Sequence, residues 1–136
     1  MPVREMTYQQ VLLDDPEGQW ELHDGQLREK PPMSAEHNGA MAELGFQLQR
    51  QLDRSQYRVR INAGRLHSTE SYYIPDVMVV PAALEQEQRR GPGSLEIYDA
   101  PLPLVVEIWS PSTGLYDVDT KLPEYQRRGD AEIWRL

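Results

Sequence analysis

A chain of 136 residues with 39% hydrophobic and 26% charged side chains has material for one compact core, and no apolar run approaches the roughly 20 residues that span a bilayer. Its formal charge of −8 argues against broad nonspecific affinity for nucleic acid, which comes from cationic neutralisation of phosphates, so such a role needs local basic patches or a metal. The absence of cysteine removes disulfides, thiolate nucleophiles and zinc–cysteine sites, leaving oxygen and imidazole as metal donors. One domain over residues 1–136 is expected, with a hairpin at 19–30 and a core at 34–136. MPVREMTYQQ holds no apolar leader, so a cytoplasmic protein without a membrane anchor is expected.

A short helix around Tyr8 to Leu13 closes at Asp14-Asp15-Pro16. WELHDGQLRE, from Trp20 to Glu29, reads as two alternating arms around Asp24-Gly25, a strong hairpin signal. Ser34 stands at an N-cap position, and Ala40, Met41, Leu44, Leu48 and Leu52 form one apolar stripe, which predicts a helix over 35–54. Tyr57 to Leu66 predicts a strand with a basic side, Ser68 to Ser71 a turn, and Ile74 to Val80 a strand buried on both faces. Residues 81–101 predict a loop with a helical turn at Ala82 to Gln88, long enough for a mobile flap. A buried strand follows from Leu102, then a helix bearing Leu122 and Tyr125, then a closing strand from Ala131 to Leu136. The order points to α/β (α+β) architecture, a mixed sheet flanked by helices. Neither a Rossmann nor a P-loop glycine pattern occurs, nor HExxH or GxSxG.

The anomaly is Glu107, a carboxylate inside the apolar run LVVEIW. An isolated buried carboxylate is costly, so a chain that keeps one pairs it, protonates it or places a metal on it. Asp76 opens the preceding central strand. If the two strands are neighbours, their carboxylates and a nearby backbone carbonyl make an all-oxygen site suited to Mg²⁺ or Mn²⁺. Lys121 is the candidate to orient or deprotonate a water beside them. The plainer readings are an arginine partner for Glu107, a strand-start turn for Asp76 and a solvated helix lysine for Lys121. Only two of the 14 basic residues are lysines, Lys30 and Lys121, which makes each more informative.

IPDVMVV, LVVEIWSPST and YDVDTKLPEYQRRGDAEIW, with WELHDGQL and MSAEHN upstream, resemble the PD-(D/E)XK nuclease superfamily, and within it the Uma-type group of bacterial restriction-endonuclease-like proteins. The resemblance covers residues 18–136. It implies an αβββαβ core, Asp76 and Glu107 as ligands of Mg²⁺ (or Mn²⁺), and hydrolysis of DNA phosphodiester bonds by a homodimer. Trp109 stands where the superfamily carries its lysine, and the resemblance implies that Lys121 takes over. Glu21, His37 and Asp117 match polar positions lining the same pocket. Pro123 departs from the group pattern; proline suits only a first helical turn, so a later helix start that re-aims Lys121 is expected.

Arg58 and Arg60, with Arg50 and Arg54, predict one basic edge, and Arg127 and Arg128 a second, either of which would follow a phosphate backbone; the plainer reading is a solvated face paired with acids. His23 and His67 lack partners at metal-ligand spacing, and Ser110 and Ser112 read as turn formers rather than nucleophiles. The alternative function is a catalytically silent nuclease-fold module that binds a protein or nucleic-acid partner.

Overall fold

Asp24 and Gly25 adopt φ angles of +46° and +80°, the left-handed pair that a two-residue hairpin turn requires. They join β1 (Trp20–His23) to β2 (Gln26–Glu29) with Trp20 opposite Glu29, as the alternating arms predict. These elements belong to a computed structural model that describes residues 4–91, 95–111 and 113–136. Ahead of the hairpin, α1 (Glu5–Asp14) buries Tyr8 and Leu12 against Leu22 and Tyr72. After it, the Ser34 hydroxyl caps α2 (Ala35–Gln51), accepting from the His37 amide at 3.1 Å.

Two predicted strands change their bounds. The run over 57–66 becomes β3 (Tyr57–Ile61) and β4 (Arg65–Ser68). Asn62 and Gly64, at φ +51° and +78°, turn the chain out between them, and a Cβ at Gly64 would lie 2.6 Å from the Met78 side chain. The run predicted over 74–80 starts later, as β6 (Val77–Pro81), and an unpredicted strand, β5 (Ser71–Tyr73), precedes it. Pro75 has no N–H to donate, which suits the break between them. Residues 81–101 are more ordered than predicted, forming α3 (Ala82–Arg89) and β7 (Ile97–Tyr98). The Gln88 side chain fastens them, donating to the Ile97 carbonyl at 2.6 Å and accepting from its amide at 3.2 Å. The tip of the predicted flap, residues 92–94, lies outside the described residues.

The last elements are β8 (Leu104–Glu107), α4 (Gly114–Tyr116), a wide π-helical turn at Asp117–Lys121, α5 (Leu122–Arg128) and β9 (Glu132–Arg135). Gly129, at φ +87°, ends α5. Pro123 falls in the first turn of α5, directly after the wide π-helical turn. Lys121, the last residue of the π turn, is buried at 1% exposure.

The strands form two sheets, β2-β1-β5-β4-β7 and β3-β6-β8-β9. In the second sheet β6 runs antiparallel to β3 and β8, and β9 runs parallel to β8. With α2 and α5 it makes the expected mixed αβββαβ core. Strand β6 is buried on both faces: Val77 and Val79 pack with Leu104, Val106 and Met41 of α2, and Met78 and Val80 pack with Leu66, Tyr73 and Tyr125. Among the described residues no helix is long and apolar enough to cross a membrane.

Candidate active site

Strand register brings the two predicted carboxylates together. Val77 of β6 pairs with Val106 of β8, so Asp76, just before one strand, lies beside Glu107, the last residue of the other. Both are buried, at 2% and 1% exposure. Asp76 Oδ2 accepts from the Ile108 amide at 2.7 Å and lies 3.3 Å from His37 Nε2, while Oδ1 accepts from Lys30 Nζ at 3.0 Å. Burial pushes its carboxyl group up, but Lys30, the Ile108 amide and Lys121 outweigh that and hold it below the ordinary value. Asp76 is therefore a fixed, ionised carboxylate.

Glu107 has the opposite setting. Its Oε1 accepts from the Tyr125 hydroxyl at 2.7 Å and pairs with Lys121 Nζ at 2.9 Å. Burial dominates here, with Asp76 adding to it against Lys121, and the carboxyl group is pushed up to about 7. Lys121 also donates to Glu21 Oε2 at 2.8 Å and to the Ile74 carbonyl at 3.3 Å. Burial disfavours its charge, but Glu107, Glu21 and Asp117 prevail and keep it a cation well above its usual range. Glu21 is held in turn by the Ile74 amide at 2.6 Å.

His37 and Asp117 join the same cluster. His37 Nε2 lies 3.2 Å from the Ile108 carbonyl; both of its neighbours accept, so this nitrogen carries the hydrogen. Asp117 accepts from the Thr113 hydroxyl at 3.4 Å, and burial, against Lys121, raises its carboxyl group. Sequence reasoning missed Lys30, Arg28 and Tyr116, which line the same narrow cleft. Arg28 stacks its guanidinium 3.8 Å from the Tyr116 ring centroid. The hairpin register carried a signal, because Glu21 pairs with Arg28 and strand alternation puts Lys30 on the same side. The space left between these groups holds about one water.

The side-chain oxygens here are of the kind that a hard divalent cation takes. The four carboxylates Glu21, Asp76, Glu107 and Asp117 share the cleft with Arg28, Lys30 and Lys121, leaving a formal excess of one negative charge. Among the described residues no three His, Asp or Glu side chains converge on one point, so protein ligation would rest on Asp76, Glu107 and a backbone carbonyl. Mg²⁺, which binds through one or two carboxylates and keeps several waters, would enter by displacing the lysines from these carboxylates.

The predicted arginines lie elsewhere. Arg60 pairs with Glu96 at 2.9 Å and Glu85 at 3.1 Å, and Arg58 lies 4.0 Å from Glu85. With Arg54 and Arg89 they line a separate cleft of about 140 Å³. Arg127 is exposed and pairs with Glu124 at 2.6 Å. Arg128 is not a surface residue: its side chain is 2% exposed, pairs with Asp130 at 3.1 Å, and donates to the Tyr98 and Ala100 carbonyls at 3.1 and 2.8 Å. It clamps loops rather than presenting charge. The Ser110 carbonyl accepts from the Thr113 and Gly114 amides, as a turn residue should, and Ser112 lies outside the described residues.

A family model described as "Uma2: Putative restriction endonuclease" matches residues 6–136. The chain belongs to the Uma2 family. Its fold is similar to that of "a putative nuclease belonging to DUF820 from Anabaena variabilis ATCC 29413", with 18% identity and a TM-score of 0.78 over 98% of this chain and 73% of that one. No curated protein matches it. In this Uma2 chain Trp109, two residues after Glu107, is half exposed and covers Gly114, where a Cβ would overlap its ring. The ammonium groups of the cleft come from Lys30 and Lys121.

Proposed function

We propose that this Uma2 chain is a metal-dependent endonuclease that hydrolyses DNA phosphodiester bonds, with Asp76 and Glu107 as ligands of Mg²⁺ or Mn²⁺ and Lys121 as the catalytic ammonium. The observation that carries this reading is the convergence of all three on one buried cleft, from chain positions 76, 107 and 121, in a family described as "Putative restriction endonuclease". When bound, the cation supplies an activated water and neutralises charge developing on the phosphoryl group.

The chain's own residues supply the rest. Asp76, fixed by the Ile108 amide and Lys30, presents a permanent negative charge. Glu107, whose carboxyl group burial pushes up to about 7, would hold a cation as its carboxylate. Lys121, held by Glu21, is placed to orient the attacking water and to stabilise negative charge on the phosphate. His37 keeps the Ile108 carbonyl and Asp76 in place. Arg28 makes no ion pair among the described residues, so its N–H groups are available to a phosphate at the cleft. Arg58, Arg60 and the exposed Arg127 are the more distant contacts. A homodimer would present two such sites, one to each strand.

One observation favours a catalytically silent binding module instead: both site carboxylates are already paired with lysines. A divalent-metal screen on supercoiled plasmid and single-stranded DNA separates the two. The nuclease reading expects Mg²⁺- or Mn²⁺-dependent nicking that Asp76→Ala and Glu107→Ala abolish while the fold is kept; equal nicking by all three proteins contradicts it.

A further inference from the structure

We propose that Lys30 is a built-in counter-cation of the Asp76 carboxylate that competes with a divalent metal for this ligand. The inference rests on the metal-site reading above and concerns what sets its affinity. The Lys30 side chain is only 6% exposed. An ammonium group has three N–H donors, and all three are used: Asn62 Oδ1 at 2.7 Å, the Ile74 carbonyl at 2.9 Å and Asp76 Oδ1 at 3.0 Å. A carboxylate, an amide oxygen and a peptide carbonyl are the donors a hard cation takes. Lys30 thus fills an oxygen nest that opens onto one of the metal ligands.

The nest is built rather than incidental. Asn62 sits in the left-handed region at φ +51°, and its amide donates to the Asp76 carbonyl at 2.8 Å. Its side-chain amide donates to Gln19 Oε1 at 2.8 Å, and Gln19 Nε2 returns a bond to the Asn62 carbonyl at 2.9 Å. The Lys30 amide in turn donates to the Gln19 carbonyl at 2.9 Å. The end of the hairpin and the turn between β3 and β4 therefore hold the ammonium from two sides.

Two consequences follow from a positive charge 3.0 Å from a ligand oxygen. Without metal, the ammonium and the Ile108 amide hold the Asp76 carboxylate in place from its two oxygens. With metal, the incoming cation works against the ammonium, so affinity is weaker than two carboxylates alone would give. Lys30 is a positioning residue, acting through Asp76.

The test titrates Mn²⁺ into the full chain by calorimetry and follows thermal unfolding with and without Mn²⁺, for wild type, Lys30→Met and Lys30→Arg. Lys30→Met should melt lower without metal, bind Mn²⁺ about tenfold more tightly, and gain more thermal stability from Mn²⁺ than wild type does. Lys30→Arg, which keeps the charge, should stay near wild-type affinity. If Lys30→Met does not fold, Lys30→Gln, which keeps a donor for Asp76 without the charge, takes its place with the same expectation. Mn²⁺ binding by wild type that is unchanged or weaker in the neutral variant overturns the role of Lys30 alone. Failure of wild type and neutral variant alike to bind Mn²⁺ overturns the metal-site reading and this inference with it.

Discussion

Lys30 and Lys121 hydrogen-bond the same carbonyl, that of Ile74, at 2.9 and 3.3 Å. The only two lysines of the chain thus bracket one carboxylate pair, Lys30 on Asp76 and Lys121 on Glu107. A lysine carries a compact point charge on a flexible stem, and it reaches into narrow sites where a planar guanidinium does not fit. The division of labour between these two ammonium groups shapes what can be measured.

Lys121→Met removes the cation shared by two buried carboxylates, Glu21 and Glu107. Breaking one side of a buried ion pair costs about 3–5 kcal/mol. Urea denaturation at pH 7.5 should show a loss of that order. The loss should shrink at pH 5.5, where Glu107, with its carboxyl group at about 7, is already protonated. A pH-independent loss would assign the effect to packing.

Glu107 also leaves a signature in the wild-type protein. Its folded value, about 7, lies above its ordinary value of 4.5, so the folded chain binds the extra proton between these limits. Stability attributable to Glu107 is therefore full below about pH 4.5 and falls as pH rises toward 7. Glu107→Gln should flatten that slope in denaturation midpoints recorded across the window. An unchanged slope would mean that another group causes it.

His67 has a separate window. Its ring bridges Glu5 of α1 at 2.7 Å and Asp99, and although burial lowers the imidazole, the bonds to Asp99 and Glu5 raise it above 6.5. Its contribution is present in full below about pH 6.5 and is lost as pH rises through the raised folded value. An NMR titration of the His67 ring should give a value above that of a free histidine, and His67→Gln should remove the corresponding loss of stability without altering the slope due to Glu107.

Arg128→Ala leaves Asp130 buried without its partner. A destabilisation of about 3–5 kcal/mol is expected, with no change in the DNA affinity of the folded protein. Arg28→Gln should do the reverse: near-native stability, with weaker binding of a fluorescent oligonucleotide and a shallower salt dependence in anisotropy titrations. Weaker binding from Arg128→Ala alone would exchange their roles.

Much of this arrangement is legible in the amino-acid sequence. Asp24-Gly25, Ser34 and the stripe from Met41 to Leu48 are local signals, and each forms the element it predicts. Glu107 stands out because a charge in an apolar strand has few inexpensive explanations. Lys30 does not, because its meaning lies in a partner 46 residues away, and no local period reports such a pairing. The division into two sheets is hidden for a related reason. Asn62 and Pro75 look like irregularities within continuous strands until the non-local pairing of β4 with β5 and of β3 with β6 shows that the chain changes sheet there. Arg128 misleads because residue type reveals charge but not burial, and a guanidinium surrounded by loop carbonyls reads like one in water.

The central claim, that Asp76, Glu107 and Lys121 act as one catalytic unit, is tested most directly by the Mn²⁺-dependent single-turnover nicking rate of supercoiled plasmid. Wild type should be compared with Asp76→Asn, Lys121→Met and the double variant, each shown to be folded. Residues that act as a unit are strongly non-additive, so each single variant should lose nearly all activity and the double should be no worse than the weaker single. Nicking that persists at the wild-type rate in Asp76→Asn, or losses that simply multiply in the double variant, would contradict the account.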